Sequence, residues 1–199
     1  MHYLIAEDSK MILVFLHGKG ADFTAYHEQM KKLAVSLSAD YISFNAPFKH
    51  QNKPNKFLWF NKVEQNNRKD AIKEEYLSSL NNIKEKLQQI PHPLSDIVLI
   101  GHSQGGGMAI AAGLELNLKC VFSLCGDLPY NIEYKNKSQT PIYWFEGQQD
   151  TYINQERKDS YKLLQKINAD LHYQILKNCS HNEIDTAFLE IENIIHQKF

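Results

Sequence analysis

Residues 96–101, DIVLIG, constrain this 199-residue chain more than any other stretch. The run is apolar without alternation, ends at a glycine, and passes directly into a Gly/Ala-rich segment that reads as helix to about residue 116. A short strand with no polar face belongs in a parallel sheet covered by helices on both sides. The junction itself reads LIGHSQGGG (99–107), which places Ser103 in a run of small residues between strand and helix. Two explanations compete: glycines that let a helix pack closely on a strand, or a turn that forces a serine outward.

The remaining chain alternates in the same way. MILVFLHG (11–18) is a second buried strand, with an edge strand over residues 2–6 expected to pair with it through the Ser9-Lys10 turn. Helical spacing of Phe23, Tyr26, Met30, Leu33 and Leu37 predicts a helix over 23–37. YISFNAP (41–47) is a strand closed by proline, and 48–62 is irregular though it carries Phe57, Leu58, Trp59 and Phe60. A long helix is expected over about 67–89, ended by Pro91 and Pro93. Strands over 119–126, 141–147 and 171–177 follow, with helices over about 156–168 and 184–196. This alternation describes an α/β fold in one domain, residues 1–199, with a mostly parallel sheet and helices on both faces. Ligand sites in such sheets gather outside the carboxyl ends of the strands.

Composition excludes several classes. A chain this long buries roughly 70% of its extended surface, so neither disulfide nor metal is needed to hold it together. Lysine and arginine number 22 against 23 acidic residues, a balance without the basic surplus of a nucleic-acid binder. Cys120, Cys125 and Cys179 are odd in number, lack CxxC spacing and read as buried thiols, which points to a reducing compartment, the cytoplasm. The first 18 residues are interrupted by Glu7, Asp8 and Lys10, so they read as neither signal peptide nor membrane span. Neither GxxxxGK[ST] nor GxGxxG nor a metal-binding motif is present, so no cofactor or metal is expected.

Gly101-His102-Ser103-Gln104-Gly105 is a GxSxG between strand and helix, the context that a nucleophile elbow requires. A serine needs a base and a group to orient that base. Asp150 follows the strand PIYWFEG, and His181 follows the strand LHYQILK, so acid and histidine come after the serine at strand ends. Glu146 and Asp127 are rival acids, and Asp150 alone would read as a turn or capping residue. The oxyanion site needs backbone donors: the amide of Gln104, after the serine, and that of Lys19, in the loop after strand 11–18. His17 and His102 read as supporting histidines behind the site. Aromatic and apolar residues after the strands, Trp59 and Leu128 foremost, are candidates for a shallow substrate groove, against the plainer reading that they are core.

Taken together, Leu16-His17-Gly18-Lys19-Gly20, the GHSQGG elbow, Gly147-Gln148-Gln149-Asp150 and Ser180-His181 resemble the phospholipase/carboxylesterase branch of the α/β-hydrolases, which includes acyl-protein thioesterases and small carboxylesterases. Ala46-Pro47 and Trp59-Phe60 match further family positions. The resemblance implies a serine hydrolase of carboxylic esters or thioesters, with Ser103 attacking, His181 moving the proton, Asp150 orienting it, and Lys19 and Gln104 as oxyanion donors. It implies small acyl substrates and leaves acylated proteins and lysophospholipids open; the oligomeric state is not legible. Departures are specific: a lysine at position 19 where the family is commonly apolar, EGQQDTYIN where it reads HGxxDxxVP, and Cys125-Gly126-Asp127-Leu128-Pro129 where it reads SGxLP. A non-catalytic binding protein on the same fold, or a hydrolase of another bond such as a peptide, are the alternative readings. The loop from Cys125 to Pro141 is too short for a large lid.

Overall fold

The computed structural model describes residues 2–4, 9–65, 68–152 and 155–199. In chain order the elements are β1 (His2–Leu4), β2 (Ile12–Leu16), α1 (His27–Ser36), β3 (Asp40–Ser43), β4 (Phe48–Lys49), β5 (Phe57–Leu58), β6 (Lys62–Gln65), β7 (Arg68–Ala71), α2 (Lys73–Gln88), β8 (Ile97–His102), α3 (Gln104–Glu115), β9 (Cys120–Leu124), β10 (Ile142–Gly147), α4 (Gln155–Lys166), β11 (Leu171–Leu176) and α5 (Asp185–Lys198). Seven strands form one sheet in the order β1-β3-β2-β8-β9-β10-β11. All neighbours are parallel except β1, which runs antiparallel to β3.

The near-continuous apolar strands behave as expected, because both of their faces are covered. Ile12, Val14 and Leu16 of β2 join Leu99, Val121 and Trp144 in a cluster beneath α2, α3 and α4. Leu13 and Phe15 join Ile100, Phe122 and Phe145 in a second cluster beneath α1 and α5. Each such side chain removed from water contributes about 1.5–3 kcal/mol. β8 lies at the middle of the sheet, so its carboxyl end is flanked by those of β2 and β9. That arrangement gathers Ser103, the loop after β2 and the loop after β9 in one place. The fold is an α/β-hydrolase sheet, and among the described residues no large lid is inserted.

Two expectations are corrected. The edge strand pairs with β3, not with β2, since both edges of β2 are taken by β3 and β8; residues 5 and 6 of that strand lie outside the described residues. The helix expected from about 67 begins at Lys73, and a hairpin of β6 and β7 precedes it. The hairpin closes at its base, where Ile72 N–H donates to Asn61 O at 2.9 Å and the Glu75 carboxylate accepts from Asn61 N at 2.6 Å. Those bonds draw residues 61 and 72 together and leave the intervening chain no helical path; Asn67 itself lies outside the described residues. Within 48–62, β4 and β5 form a small hairpin.

Candidate active site

β8 delivers Ser103 into an unusual backbone state, φ 52° and ψ −120°, immediately before α3. Such a conformation costs a non-glycine residue of order 1–3 kcal/mol and persists only when its surroundings enforce it. Here Ser103 N–H donates to Leu124 O at 2.8 Å, and Ser103 O accepts from Gly107 N–H at 3.1 Å, so the turn is pinned to β9 and to the helix. Gly101 and Gly105 are steric requirements. A Cβ on Gly101 would overlap the carbonyl of Gly105, and one on Gly105 would overlap the carbonyls of Leu16 and His17. Both sequence-level explanations are therefore realised: the glycines permit close packing, and that packing thrusts the serine outward.

Ser103 Oγ lies 3.0 Å from His181 Nε2, and His181 Nδ1 lies 2.9 Å from Asp150 Oδ2. The three residues come from the ends of β8, β10 and β11, adjacent to one another through β9. Asp150 is held further, its Oδ1 accepting from Tyr152 N–H at 2.7 Å. Burial pushes the Asp150 carboxyl up, but bonds from His181, Arg157 and the Tyr152 amide outweigh it and hold the group at about 2. It stays an anion at any pH at which an imidazole is neutral. His181 sits between the Tyr152 ring, 4.7 Å away between centroids, and the His102 ring at 5.1 Å. His102 donates from Nε2 to His181 O at 2.7 Å, and burial lowers its own value to about 4, so it is a neutral support behind the elbow.

Arg157, which the sequence reading did not single out, is the unexpected member of this cluster. It is 3% exposed on α4. Its Nη1 donates to Asp150 Oδ2 at 2.8 Å, its Nη2 donates to Cys125 O at 3.1 Å, and Nη2 lies 3.3 Å from His181 Nδ1. Glu146, also buried, stands 4.0 Å from Arg157 Nε and accepts from Tyr173 O–H at 2.9 Å. Two buried acids, at positions 146 and 150, thus share one buried cation. The signal was present in part, because two acids at one strand end demand a counter-charge, and Arg157 follows Asp150 by only seven residues. The rival acids are otherwise engaged: Glu146 as described, and Asp127 with Lys62 at 3.3 Å.

Cys125 Sγ, an Asp150 oxygen and a His181 nitrogen lie within 4.8 Å of one another, the spacing of a metal site. The chemistry does not fit one. Burial pushes the Cys125 thiol up to about 12, so it is no thiolate, and the Arg157 guanidinium already faces the other two groups.

Lys19 lines the same cleft as Ser103, and Gln104 is the first residue of α3, where amides lack intrahelical acceptors. The Gln104 side chain faces the other way, accepting from Trp59 N–H at 2.9 Å and donating to Phe60 O at 2.7 Å. Trp59 does not form a groove wall. It is fully buried, its indole N–H donating to His17 O at 2.8 Å, and it packs on His17 and Phe44. Leu128 is likewise in the core, with its amide donating to Ser160 Oγ. Both residues follow strand ends in sequence, but the bonds from Gln104, His17 and Ser160 turn them inward. His17 is a supporting residue as expected: Nδ1 donates to Gly18 O at 2.8 Å, Nε2 accepts from Ala46 N–H at 3.0 Å, and burial lowers its value. The cleft over Ser103 and His181 measures about 670 Å³ and is open to solvent.

The chain matches known proteins on both sequence and shape. The sequence profile of the Phospholipase/Carboxylesterase family matches residues 5–198, nearly the whole chain. Among solved structures, Zea mays acyl-protein thioesterase 2 superposes with a TM-score of 0.79 at 18% identity, covering 98% of this chain and 97% of that one. The Bacillus cereus carboxylesterase gives 0.80 at 16% identity over 100% and 93%. The Mesorhizobium loti carboxylesterase gives 0.81 at 15% identity over 98% and 92%. No curated protein is similar enough in sequence to count as a match. The chain belongs to the phospholipase/carboxylesterase family of α/β-hydrolases and is an enzyme of the esterase/thioesterase kind. No described helix is long and apolar enough to cross a membrane.

Proposed function

We propose that this member of the phospholipase/carboxylesterase family cleaves carboxylic esters or thioesters through an acyl-enzyme on Ser103. The observation that carries the reading is the unbroken hydrogen-bond chain Ser103 Oγ–His181 Nε2 and His181 Nδ1–Asp150 Oδ2, at 3.0 and 2.9 Å, built on a strained strand-to-helix turn.

In this mechanism His181 Nε2 removes the Ser103 proton as Oγ attacks the carbonyl carbon. Asp150 keeps the Nδ1 proton in place and balances the imidazolium that forms. The carbonyl oxygen becomes an oxyanion facing the amides of Lys19 and Gln104, the second at the positive end of α3. Collapse breaks the bond to the alcohol or thiol, which takes the proton from His181 Nε2. A water molecule, deprotonated by the same nitrogen, then attacks the acyl-serine, releasing the acid and restoring Ser103. No cofactor or metal enters any of these steps. Small acyl esters and thioesters suit the open cleft, and acylated proteins and lysophospholipids stay within the same chemistry.

A fluorophosphonate probe tests the assignment of Ser103. Peptide mass spectrometry should place the adduct on that residue, and Ser103→Ala should neither label nor turn over an acetyl ester. An adduct elsewhere, with Ser103→Ala labelled as fully as the parent, would overturn the reading.

A further inference from the structure

We propose that the cleft over Ser103 selects esters or thioesters that carry an anionic group, a carboxylate or a phosphate, close to the scissile bond. The inference rests on the proposed reaction at Ser103 and adds the substrate class.

Trp59 and Leu128, the candidates for an apolar groove, face the core, and among the described residues that line this opening there is no Leu, Ile, Val, Met, Phe or Trp. The lining is mixed: Lys19, Lys53 and His50 share it with Ser103, alongside Tyr26, Tyr152, Asn182 and the small residues Ala21 and Ala25. Among the described residues that line it there is no carboxylate. Asp22, the acid nearest in sequence, is occupied by Lys56 at 2.6 Å and by Thr24. Asp150 is fully covered behind His181. Among the described residues neither the Lys19 nor the Lys53 ammonium pairs with an acid.

The basic groups are held in place by backbone, not by chance. Lys53 and His50 belong to the β4–β5 hairpin, which is closed by His50 N–H donating to Lys56 O at 2.7 Å. That hairpin is sewn to the Lys19 loop, with Gly20 N–H donating to Phe57 O and Phe57 N–H to Ala21 O, both at 2.8 Å. The Lys53 chain and the His50 ring lie directly over Gly20, so that a Cβ there would stand 3.3 Å from Nζ and 3.4 Å from Cδ2. His50 Nδ1 accepts from Asn52 N–H at 3.2 Å, which leaves Nε2 as a donor. An uncharged acyl chain meets only two alanines and two tyrosine rings there, with no branched aliphatic side chain to pack on. An anion gains two ammonium groups with no desolvated acid to oppose it, and like-signed walls also concentrate an oppositely charged substrate.

The experiment compares matched pairs of esters by kcat/KM. One pair carries the charge on the acyl side: the 4-nitrophenyl monoester of adipic acid against 4-nitrophenyl hexanoate. The other carries it on the leaving group: 4-acetoxybenzoate against its methyl ester. The anionic member of at least one pair should be favoured by roughly tenfold, the preference shrinking in 0.5 M salt as exposed charges are screened. The pair that shows it identifies which side of the bond the lysines face. In the Lys19→Gln/Lys53→Gln double variant the anionic-to-neutral ratio should fall at least about fivefold, with differences in intrinsic ester reactivity cancelling against the parent. Ester cleavage at a labelled Ser103 with no anionic preference, or with a ratio untouched in the double variant, overturns this inference alone. Failure of all four esters together with an unlabelled Ser103 overturns the parent reading, and this one with it.

Discussion

Replacing Arg157 by methionine removes the single cation shared by Asp150 and Glu146 while roughly keeping its volume. The Asp150 carboxyl stands at about 2 against an ordinary 3.8, because bonds from His181 and then Arg157 outweigh its burial. That depression corresponds to roughly 2.5 kcal/mol of folding stability at 1.36 kcal/mol per unit, of which Arg157 supplies a share beside His181 and the Tyr152 amide. Breaking one side of a pair whose side chains are 3% and 0% exposed also strands a buried charge, and such losses run to about 3–5 kcal/mol. Arg157→Met should therefore destabilise the protein by about 3 kcal/mol at pH 7. The pH dependence has a definite sign. A carboxylate whose folded value is depressed contributes stability that is fully present above 3.8 and is lost as pH falls toward 2. The gap between parent and variant should thus be largest at neutral pH and narrower at pH 3. Urea unfolding at both pH values measures it, through midpoints and slopes. Arg157→Lys should recover part of the loss, since a single ammonium cannot bond Asp150 and the Cys125 carbonyl as the planar fork does. A gap below about 1 kcal/mol at pH 7, or one of equal size at pH 3, would refute this account of the ion pair.

Asp150→Asn should retain the fold while losing at least about 10² in turnover, whereas Asp127→Asn and Glu146→Gln should each cost less than about tenfold; a large loss at Asp127 with Asp150→Asn near the parent would reassign the acid. Gln104→Ala should cost about 2–4 kcal/mol in chemical denaturation, because it leaves the Trp59 amide and the Phe60 carbonyl buried without partners, and a loss below about 0.5 kcal/mol would show that the clamp is dispensable.

What the sequence made legible was local. The elbow is written in consecutive residues, because a strand end, a positive-φ serine and two clashing glycine positions all fall within 101–105. The buried strands declare themselves through unbroken apolar runs, and His181 and Asp150 through their positions just past strand ends. What stayed hidden depends on partners far along the chain. Residues 62–71, KVEQNNRKDA, carry no apolar alternation, and the bonds that close their hairpin come from Asn61, Ile72 and Glu75. Arg157 sits in QERKD, which reads as a solvated helix face, yet α4 turns it beneath the Asp150 loop. Trp59, in an irregular segment, reads equally as groove wall or as core. Its destination is decided by the Gln104 side chain, 45 residues away.

The order in which the strands are laid down bears on how the enzyme is made. The central strand, its serine and the loop of Lys19 are all complete when β9 has formed, but His181 follows the serine by 78 residues and Asp150 by fewer. The last strand lies at the sheet edge, and the helix after it rests on α1, with Gln29 Nε2 donating to Asp185 and Tyr26 O–H to Asn182 O. A nascent chain that has formed β8 and β9 but not β11 therefore holds Ser103, the proposed nucleophile, without His181, its proposed base. In the proposed mechanism, hydrolysis therefore waits until α5 docks against α1 and brings His181 to Ser103, so that activity reports the folding of two distant segments onto one another.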